Sequence, residues 1–401
     1  NSRNRLALDT DYTMTDNTLV QPKLRLGMVG GGQGAFIGEV HRIAARLDDR
    51  YELLAGALSS DSTRAAASAV ELGINADRSY ESFEHMAVAE SDREDGIEVA
   101  TIVTPNHLHY SAASAMLRAG IHVICDKPLT ATLAQAEELA ELANASGLLF
   151  AVTYNYSAYP MVRLARQLVA QGRLGELRVV QVEYPQDWLA TNIEDDDQKQ
   201  AAWRTDPEKA GAGGCIGDIG THAFHLVEFV SGLKTTELLA DLNSFVGKRK
   251  LDDNANILLR FNNGAKGSLW SSQIATGNEN ALRIRLYGDK AGIEWSQENP
   301  NYLNVTTLGG SKEILSRANA SIPGTTGYST RLPAGHPEGF LEAFATLYRD
   351  IAEQLNARKS NRECDPHAML VPGIADGLRG MEFIEKAVDS NVGGNTWQKL
   401  S

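Results

Sequence analysis

The stretch GMVGGGQGAFIGEVH, residues 27–41, joins an apolar run to a helical pattern and contains six glycines. Such crowding of glycines indicates a loop whose backbone must closely approach a ligand or another segment of the chain. Between a strand and a helix it predicts a dinucleotide-binding turn, in which Gly30 makes the tight turn and Gly32 admits a pyrophosphate at the helix N-terminus. An ordinary strand-to-helix turn without a ligand is the alternative.

The glycine spacing departs from the usual G-x-G-x-x-G pattern. If Gly38 is the third glycine, three extra residues precede it, and the segment 33–37 must bulge around the ligand. The cofactor-binding candidates in this loop are Gly30, Gly32, Gln33, Ala35, Phe36 and Ile37.

Strand-like and helix-like patterns alternate from residue 23 to residue 155. Continuous apolar strands are predicted at 23–30, 51–58, 97–105, 121–128 and 148–155, with helices at 38–48, 61–72, 108–119 and 132–146. This alternation predicts an α/β domain with a doubly wound parallel sheet, that is, a Rossmann domain. The strands are apolar throughout because both faces of a parallel sheet are covered.

The pattern changes after residue 155. A helix at 160–171 leads to two pairs of alternating runs, which turn at Asn263-Gly264 and Gly288-Asp289 and are typical of β-hairpins. Helices at about 338–356 and 373–389 follow. We predict an α+β second domain with antiparallel strands over 156–401, a first domain over 23–155 and a flexible segment over 1–22. Residues 1–13, before Met14, are expected to be left over from expression.

The composition is that of an ordinary globular protein, with 43% hydrophobic and 22% charged residues in a chain of 401. A net charge of −13 disfavours nucleic acid and anionic membranes as partners. No apolar run is long enough to predict a membrane span. The cysteines are Cys125, Cys215 and Cys364; they are odd in number and far apart, which indicates a reducing, cytoplasmic setting.

The end of the second strand bears on the choice between NAD and NADP. A cofactor with a free ribose 2′-hydroxyl usually meets an Asp or Glu there. Here Ser59 and Ser60 stand at that position, so no carboxylate repels a 2′-phosphate, and Arg64 follows closely. The same serines are able to bind a plain ribose, and the choice between the two cofactors stays open.

Two more polar stretches stand at the carboxyl ends of predicted parallel strands, where ligands bind in such sheets. They are TPNHLH (104–109) and CDKPLT (125–130), and the Lys-Pro step indicates a restrained backbone at Lys127. The cofactor-binding candidates from them are Thr104, Pro105, Asn106, His109, Asp126 and Lys127. A solvated surface lysine is the alternative for Lys127.

The stretch GGCIGDIGTH (213–222) crowds four glycines with Asp218 and His222. We predict a helix from Asp218 with one apolar stripe, while Asp218, His222, His225 and Phe229 share a separate face directed to a cleft. A glycine-rich entry loop with an aspartate cap and a surface histidine is the alternative. A metal site is disfavoured, because no cysteine pair or third histidine lies at ligand spacing. Cys215 is interpreted as a small loop residue.

In this order, the glycine-rich turn, TPNHLH, CDKP and GAGGCIGDIGTH (211–222) resemble the Gfo/Idh/MocA family of NAD(P)-dependent oxidoreductases of sugars and inositols. The resemblance runs from about residue 23 to the end. Asp126 stands where the family commonly has Glu, and Ala212 replaces the first of three glycines. The resemblance implies a large open antiparallel sheet in the second domain, often used for dimers or tetramers.

The resemblance also implies catalytic roles. His222 is the natural base for a hydroxyl proton, since an ordinary histidine titrates at about 6.5. Asp218 is expected to orient the imidazole or to bind a substrate hydroxyl. Lys127 is expected to hydrogen-bond the reacting oxygen and to share the proton transfer.

Substrate binding is harder to assign. The candidates are Tyr156, Asp187, Trp203, Arg204 and His336, together with Asp218 and His222. Core packing is the alternative for the aromatic residues. No basic cluster indicates a phosphorylated sugar, so a neutral polyol, glycoside or anhydrosugar is preferred. The polar loops 190–200 and 309–335 are candidate lids.

The main hypothesis is a reversible NAD(P)-dependent dehydrogenase that oxidises a secondary alcohol on a ring. Two alternatives stay open. One is a relative that retains NAD and cleaves a glycosidic bond through transient oxidation. The other is a regulator that binds nucleotide without catalysis, although the presence of Lys127, Asp218 and His222 together argues against it.

Overall fold

A computed structural model describes residues 22–195, 199–247, 249–319 and 325–401. The expectations for residues 1–21 and for parts of the two polar loops lie outside this range. The strands are β1 Leu24–Gly30, β2 Tyr51–Ala57, β3 Val99–Val103, β4 His122–Cys125, β5 Phe150–Val152, β6 Leu177–Pro185, β7 Thr235–Asn243, β8 Asn254–Phe261, β9 Lys266–Ser272, β10 Arg283–Gly288, β11 Ala291–Ser296, β12 Tyr302–Thr307, β13 Lys312–Ser316 and β14 Gln398–Lys399. The α-helices are α1 Phe36–Leu47, α2 Ser62–Leu72, α3 Phe83–Ser91, α4 His109–Arg118, α5 Leu133–Ser146, α6 Pro160–Ala170, α7 Lys199–Arg204, α8 Pro207–Ala210, α9 Thr221–Ser231, α10 Thr325–Ser329, α11 Phe340–Lys359 and α12 Ile374–Val392.

The first five strands form a parallel sheet in the order β2-β1-β3-β4-β5, which confirms the predicted Rossmann-like sheet. Its strands β3 and β5 are buried at every residue, as the continuous apolar runs predict. Helix α3 was not predicted, because its apolar residues show little helical periodicity. All five strands direct their carboxyl ends to one edge of the sheet, which is where ligands bind in this architecture.

The other nine strands form a second sheet in the order β13-β12-β11-β10-β6-β9-β8-β7-β14. Its pairs are antiparallel except β6 with β9, so the predicted mainly antiparallel sheet is confirmed. Both predicted hairpins form: β8 pairs with β9 across Asn263-Gly264, and β10 pairs with β11 across Gly288-Asp289.

Helix α11 belongs to the second half of the chain but packs on the first sheet. Its residues Phe344, Tyr348 and Ile351 share a buried core with Leu26 of β1 and Val40 of α1. The phenol of Tyr51 also donates a hydrogen bond of 2.7 Å to the backbone carbonyl of Tyr348. The predicted boundary at residue 155 therefore divides the sheets, while α11 returns to complete the core of the first domain.

Candidate active site

A cleft of about 980 Å³ runs along the carboxyl edge of the parallel sheet to the start of α9. Most of the candidates named from the sequence line it. They are Gly30, Gly32, Gln33, Ala35, Phe36, Ile37, Ser59, Ser60, Arg64, Thr104, Pro105, Asn106, His109, Asp126, Lys127, Tyr156, Trp203, Arg204, Asp218 and His222.

The glycine loop turns tightly and packs closely on its neighbours. Gly30 and Gly31 have positive φ angles of 78° and 73°, which favour glycine. A Cβ on Gly32 would lie 2.8 Å from the carbonyl oxygen of Leu58, and a Cβ on Gly38 would lie 2.4 Å from the Cα of Gly31. Gly38 therefore occupies the place of the third glycine, where the helix and the loop pack closely.

Helix α1 begins at Phe36, two residues before the predicted start, and no side chain caps it. The free N–H groups of its first turn are therefore available for an anion. Phe36 is 67% exposed and lines the cleft, which is an unusual place for a large apolar side chain unless a ligand covers it.

At the end of β2, Ser59, Ser60 and Arg64 line the cleft as predicted. The hydroxyl of Ser59 accepts a hydrogen bond from the N–H of Asp61 at 3.1 Å. Asp61 is the N-cap of α2, and its carboxylate accepts from the N–H of Arg64 at 2.8 Å. The carboxylate of Asp61 is therefore engaged by the helix, and Arg64 belongs to the first turn of that helix.

Asp126 is held by a buried polar network. Its Oδ1 accepts hydrogen bonds from Thr153 Oγ1 at 2.6 Å and from His41 Nε2 at 3.1 Å. The other ring nitrogen of His41 lies 2.8 Å from the hydroxyl of Tyr348 in α11. Burial alone would raise the pKa of Asp126, but its interactions with His41 and Thr153 outweigh burial and bring the pKa to about 2.

His109 joins two backbone segments of the cleft wall. Its ring nitrogens lie 2.9 Å from the carbonyl oxygens of Thr104 and Pro128. Burial lowers the pKa of His109. Asn106 is held in the same wall and donates from its amide to the carbonyl of Ala210 at 3.0 Å. The side chains of His109 and Asn106 therefore fix the loops after β3 and β4, which gives both residues a structural task.

Lys127 lies at the far end of the cleft and follows β4. Its ammonium donates hydrogen bonds to the backbone carbonyl and to the carboxylate of Asp218, the latter at 3.1 Å. The peptide bond between Lys127 and Pro128 is cis. Asp218 Oδ2 also lies 3.3 Å from Arg204 Nε and 2.8 Å from the amide of Gln273.

The charge state of Asp218 follows from these contacts. Burial would raise its pKa, but the charges of Lys127 and Arg204 outweigh burial and hold the pKa well below its ordinary value. One carboxylate thus faces two cations, the ammonium of Lys127 and the guanidinium of Arg204. Cations held in place in this way favour an alkoxide or a carbonyl oxygen with partial negative charge.

The helical segment that carries Asp218 and His222 begins before Asp218, the residue at which the sequence predicted its start. A π-helical turn over Ile216–Gly220 leads directly into α9. The carboxylate of Asp252 accepts hydrogen bonds from the N–H groups of Gly214 and Ile216, at 2.7 and 2.8 Å. The cap is thus supplied from the loop before β8, which the local sequence does not reveal, and π-turns are frequent at functional sites.

The glycines of this segment allow a close backbone approach. A Cβ on Gly214 would lie 2.2 Å from the backbone carbonyl of Asp252. That carbonyl accepts a hydrogen bond of 2.8 Å from the N–H of Cys215. Cys215 is buried, and burial raises the pKa of its thiol well above the ordinary value, which agrees with a packing role.

His222 lies in a cage of tyrosine rings. The ring centroids of Tyr154, Tyr156 and Tyr184 lie 5.8, 4.9 and 6.5 Å from that of the imidazole, all edge-on. His222 is 8% exposed, and its buried Nδ1 has no hydrogen-bond partner among the described residues. Asp218 therefore does not orient the imidazole, contrary to one of the two roles suggested for it.

Burial lowers the pKa of His222 well below its ordinary value, and the nearby charge of Lys127 lowers it further. The imidazole is consequently neutral at neutral pH and able to accept a proton. Its buried and unpaired nitrogen is the kind of atom that a bound ligand satisfies.

Three residues that were expected near the site lie outside the cleft, namely Asp187, His336 and His225. Asp187 accepts a hydrogen bond from the N–H of Gly277 at 2.9 Å, and His336 is exposed in a turn whose carbonyl binds Arg317. Neither lines the cleft. His225 lines a separate cavity of about 240 Å³ behind α9 and stacks on Tyr154 with ring centroids 4.3 Å apart.

The cleft wall also contains polar residues that were not among the sequence candidates, such as Tyr184 and Gln186. Tyr156 and Tyr184 join through their hydroxyls, and the Tyr184 hydroxyl donates to Asn280 at 2.8 Å. Gln186 donates to the same amide oxygen of Asn280 at 2.7 Å. Tyr184 and Gln186 both line the cleft. A count of the alternating positions of β6 predicts that Tyr184 faces inward, but only the fold brings Asn280 to it.

The loop after β6 is held by a buried arginine. Arg249 donates to the carboxylate of Glu194 at 2.6 and 2.9 Å and to the carbonyl oxygens of Leu189 and Thr191 at 2.8 and 3.0 Å. This loop connects Trp188 to the helix with Trp203 and Arg204, all of which line the cleft. The described part of this candidate lid is therefore anchored at residues 189–194.

The described residues contain neither a metal-binding cluster nor a membrane-spanning helix. No group of three or more His, Cys, Asp or Glu side chains lies close enough together to hold a metal ion within residues 22–195, 199–247, 249–319 and 325–401. In the same part of the chain, no helix has the length and apolar character needed to cross a membrane.

The parallel sheet, the uncapped helix at its glycine loop and the Lys127–Asp218–His222 group define a dinucleotide-dependent oxidoreductase. The chain belongs to the Gfo/Idh/MocA family. Residues 24–154 match its "Oxidoreductase family, NAD-binding Rossmann fold", and residues 162–294 match its "GFO/IDH/MocA C-terminal domain". The chain is therefore an NAD(P)-dependent dehydrogenase, as the motifs predict.

The chain is similar over nearly its whole length to several known proteins. An oxidoreductase structure from Sinorhizobium meliloti is 50% identical, with a TM-score of 0.86 over 94% of this chain and 100% of that one. An inositol dehydrogenase homolog from Azotobacter vinelandii, complexed with NADH and myo-inositol, is 34% identical, with a TM-score of 0.87 over 94% and 98% of the two chains. The uncharacterized oxidoreductase YfiI of Bacillus subtilis is 37% identical over 94% of this chain and 97% of its own.

Proposed function

We propose that the enzyme oxidises a secondary alcohol on the ring of a neutral polyol, such as an inositol, sugar, glycoside or anhydrosugar. The observation that carries this proposal is the convergence of Lys127, Asp218 and the neutral imidazole of His222 at one end of the cleft. The similarity to a protein complexed with myo-inositol supports the class of substrate.

A nicotinamide dinucleotide held along the sheet edge would supply the hydride acceptor for the carbon that carries the reacting hydroxyl. His222 takes the hydroxyl proton, because its imidazole is neutral and not hydrogen-bonded to the described protein. Lys127 donates a hydrogen bond to the reacting oxygen as negative charge develops there. Asp218 holds Lys127 and Arg204 in place and balances part of their charge.

The residues of the chain fit the dinucleotide along the sheet edge. The glycine loop and the uncapped α1 suit the pyrophosphate, Ser59 and Ser60 suit the adenosine ribose, and Asp126 suits the ribose at the nicotinamide end. The end of β2 has serines and Arg64 in place of a carboxylate that would accept from a ribose 2′-hydroxyl. These residues are compatible with either NADP or NAD.

The substrate is proposed to lie between the tyrosine cage and the loop that Arg249 anchors. Tyr156, Tyr184 and Gln186 offer hydroxyl and amide groups to substrate hydroxyls, and Trp203 offers an aromatic surface. Arg204 covers the Trp203 ring at 4.3 Å. No phosphate-binding cluster is part of this proposal, because Lys127 and Arg204 share the charge of Asp218.

We also propose a cytoplasmic homodimer or homotetramer. The cysteines Cys125, Cys215 and Cys364 are free thiols, which supports a reducing compartment. The second sheet has helices on one face, and its other face exposes Leu258 and Tyr287 at 51% and 42%. These exposed apolar side chains support association through the sheet.

The experiment that tests the function follows the reduction of NAD and NADP, by absorbance, against a panel of ring polyols, glucosides and anhydrosugars. Reduction with a ring polyol supports the dehydrogenase and selects the cofactor. A nucleotide that copurifies and shows no net turnover would instead favour a glycosidase that retains NAD. Tight binding without any turnover of polyols or glycosides would favour a regulator.

A further inference from the structure

Asn155 is a buried polar residue in the cleft that has no role in the mechanism proposed for Lys127, Asp218 and His222. It is 2% exposed and lines the cleft, and its Nδ2 has no hydrogen-bond partner among the described residues. If the side-chain amide is rotated by 180°, its carbonyl oxygen takes the position of Nδ2 and is also without a hydrogen-bond partner. Because buried amides are nearly always paired, something bound in the cleft is expected to satisfy this one.

The backbone around Asn155 fixes this amide in place. Its N–H donates to the carbonyl of Thr153 at 2.8 Å, and the N–H of Ser157 donates to the carbonyl of Tyr154 at 3.1 Å. Thr153 is also the residue that holds Asp126, and Tyr156 is the residue whose ring contacts His222. Asn155 thus lies in the chain between a residue that supports the cofactor wall and one that contacts the proposed base.

The order of the strands indicates which part of a dinucleotide lies nearest. The sheet runs β2-β1-β3-β4-β5, and the adenosine ribose and the pyrophosphate belong to the ends of β2 and β1. The other half of the cofactor must then extend past β3 and β4 toward β5. Asn155 follows β5, and Lys127 follows β4, which is the strand next to β5 in the sheet. The amide therefore belongs at the nicotinamide end.

We propose that the carboxamide of Asn155 pairs with the carboxamide of the nicotinamide ring, and this pairing rests on the proposed function. At this end of the dinucleotide the carboxamide is the group that offers a donor and an acceptor side by side, as the asparagine side chain does. Two hydrogen bonds fix the rotation of the ring about its ribose, and so set which face is presented to the substrate beside His222.

The experiment compares the binding of three ligands to the wild-type enzyme and to Asn155→Ala, by fluorescence titration. The ligands are NADH or NADPH, whichever the wild type prefers, the reduced 3-acetylpyridine analogue of that cofactor, which lacks the amide NH₂ group, and ADP-ribose, with its 2′-phosphate if needed, which lacks the ring. We expect Asn155→Ala to weaken the natural cofactor about five- to tenfold. The affinity for ADP-ribose should change by less than about twofold, which also reports that the site is folded.

The analogue separates this pairing from a general loss of structure. The wild type should bind the acetylpyridine cofactor more weakly than the natural one, and this difference should shrink or vanish in Asn155→Ala. Asn106→Ala is the matched control, because the amide of Asn106 is satisfied by the carbonyl of Ala210. It should alter the affinities for the natural and acetylpyridine cofactors by the same factor.

Three results would overturn the pairing. The first is equal weakening of ADP-ribose and of the natural cofactor by Asn155→Ala. The second is an undiminished preference of that variant for the natural cofactor over the analogue. The third is unchanged cofactor binding with a raised KM for the polyol, which would assign the amide to the substrate. Failure of the wild type to bind any nucleotide would instead refute the proposed function.

Discussion

Lys127 and Asp218 form the central ion pair of the site, with the ammonium 3.1 Å from the carboxylate. The imidazole of His222 takes no part in the hydrogen bonds around this ion pair, and its Nδ1 has no partner among the described residues. The carboxylate is shared with Arg204 and Gln273. The arrangement separates two tasks: Asp218 fixes the cations, and His222 stays neutral and free to take a proton.

Removal of either the lysine or the histidine should abolish turnover without abolishing cofactor binding. In Lys127→Ala and His222→Ala we expect kcat to fall by a factor of about 100 to 10,000, the range of general acid–base catalysis. Binding of the reduced cofactor, measured by fluorescence, should persist, because the glycine loop and α1 are unchanged. Near-normal rates in either variant would contradict the catalytic role proposed for that residue.

The pH dependence of kcat/KM should reflect the lowered pKa of His222. The imidazole accepts a proton only while it is neutral, and burial and Lys127 shift its pKa below the ordinary value of about 6.5. Activity that depends on the neutral form is therefore retained as the pH falls through 6.5 and is lost only at a lower pH. A profile of kcat/KM from pH 5 to 9 measures this. An acid limb centred above 6.5 would contradict it.

Asp252 should act on the rate through the helix that it caps. Its carboxylate binds two N–H groups at the start of the segment with Asp218 and His222, and an asparagine offers one acceptor and one donor in its place. We expect Asp252→Asn to lower kcat by about tenfold, since a small displacement of a catalytic group is enough. The dissociation constant of the cofactor should stay within about twofold. Equal losses in kcat and in cofactor affinity would indicate a general loss of structure instead.

Stability below neutral pH should depend on His122, which lies away from the cleft. Burial, together with the repulsion of Arg358, lowers its pKa to about 4, and its Nδ1 accepts a hydrogen bond of 3.0 Å from the N–H of Leu149. Because the pKa is about 6.5 in the unfolded chain, the unfolded state binds the proton more tightly. The stabilisation is present above pH 6.5 and is lost as the pH falls toward 4, by about 1–2 kcal/mol at pH 5.

His122→Asn keeps an acceptor for the N–H of Leu149 but does not titrate. Its free energy of unfolding in urea should therefore fall less between pH 7 and pH 5 than that of the wild type. Parallel declines in the two proteins would show that His122 does not contribute to the pH dependence.

The sequence predicted what depends on short-range pattern. The alternating elements give the first sheet, the Asn263-Gly264 turn gives its hairpin, and the glycine loop gives the cofactor end of the cleft. The pattern could not reveal contacts between distant segments. The cap from Asp252, the return of α11 to the first sheet and the anchoring of the loop by Arg249 each join residues far apart in the chain.

Helix α9 shows the same limit on a smaller scale. A regular helix from Asp218 places His225 on the face of His222, and this made it a neighbour of the cleft. In the structure α9 is buried on most sides, and His225 lies behind Tyr154 in a second cavity. Periodicity distinguishes apolar from polar faces, but it cannot tell which of two cavities a buried polar residue will line.

The preference between NAD and NADP should change when residues at the end of β2 are substituted. Ser59 and Ser60 line the cleft there, and the nearest carboxylate, Asp61, is engaged as the cap of α2. A new carboxylate in Ser59→Asp is able to accept from a free ribose 2′-hydroxyl and repels a 2′-phosphate, so the ratio of kcat/KM for NAD to that for NADP should rise about tenfold or more.

Arg64→Ala is the complementary variant, because it removes the cation at this corner and should weaken NADP while changing NAD little. An unchanged or reversed preference in Ser59→Asp would mean that this serine does not meet the ribose. A loss of both cofactors in Arg64→Ala would mean instead that the guanidinium binds a group which the two share, such as the pyrophosphate.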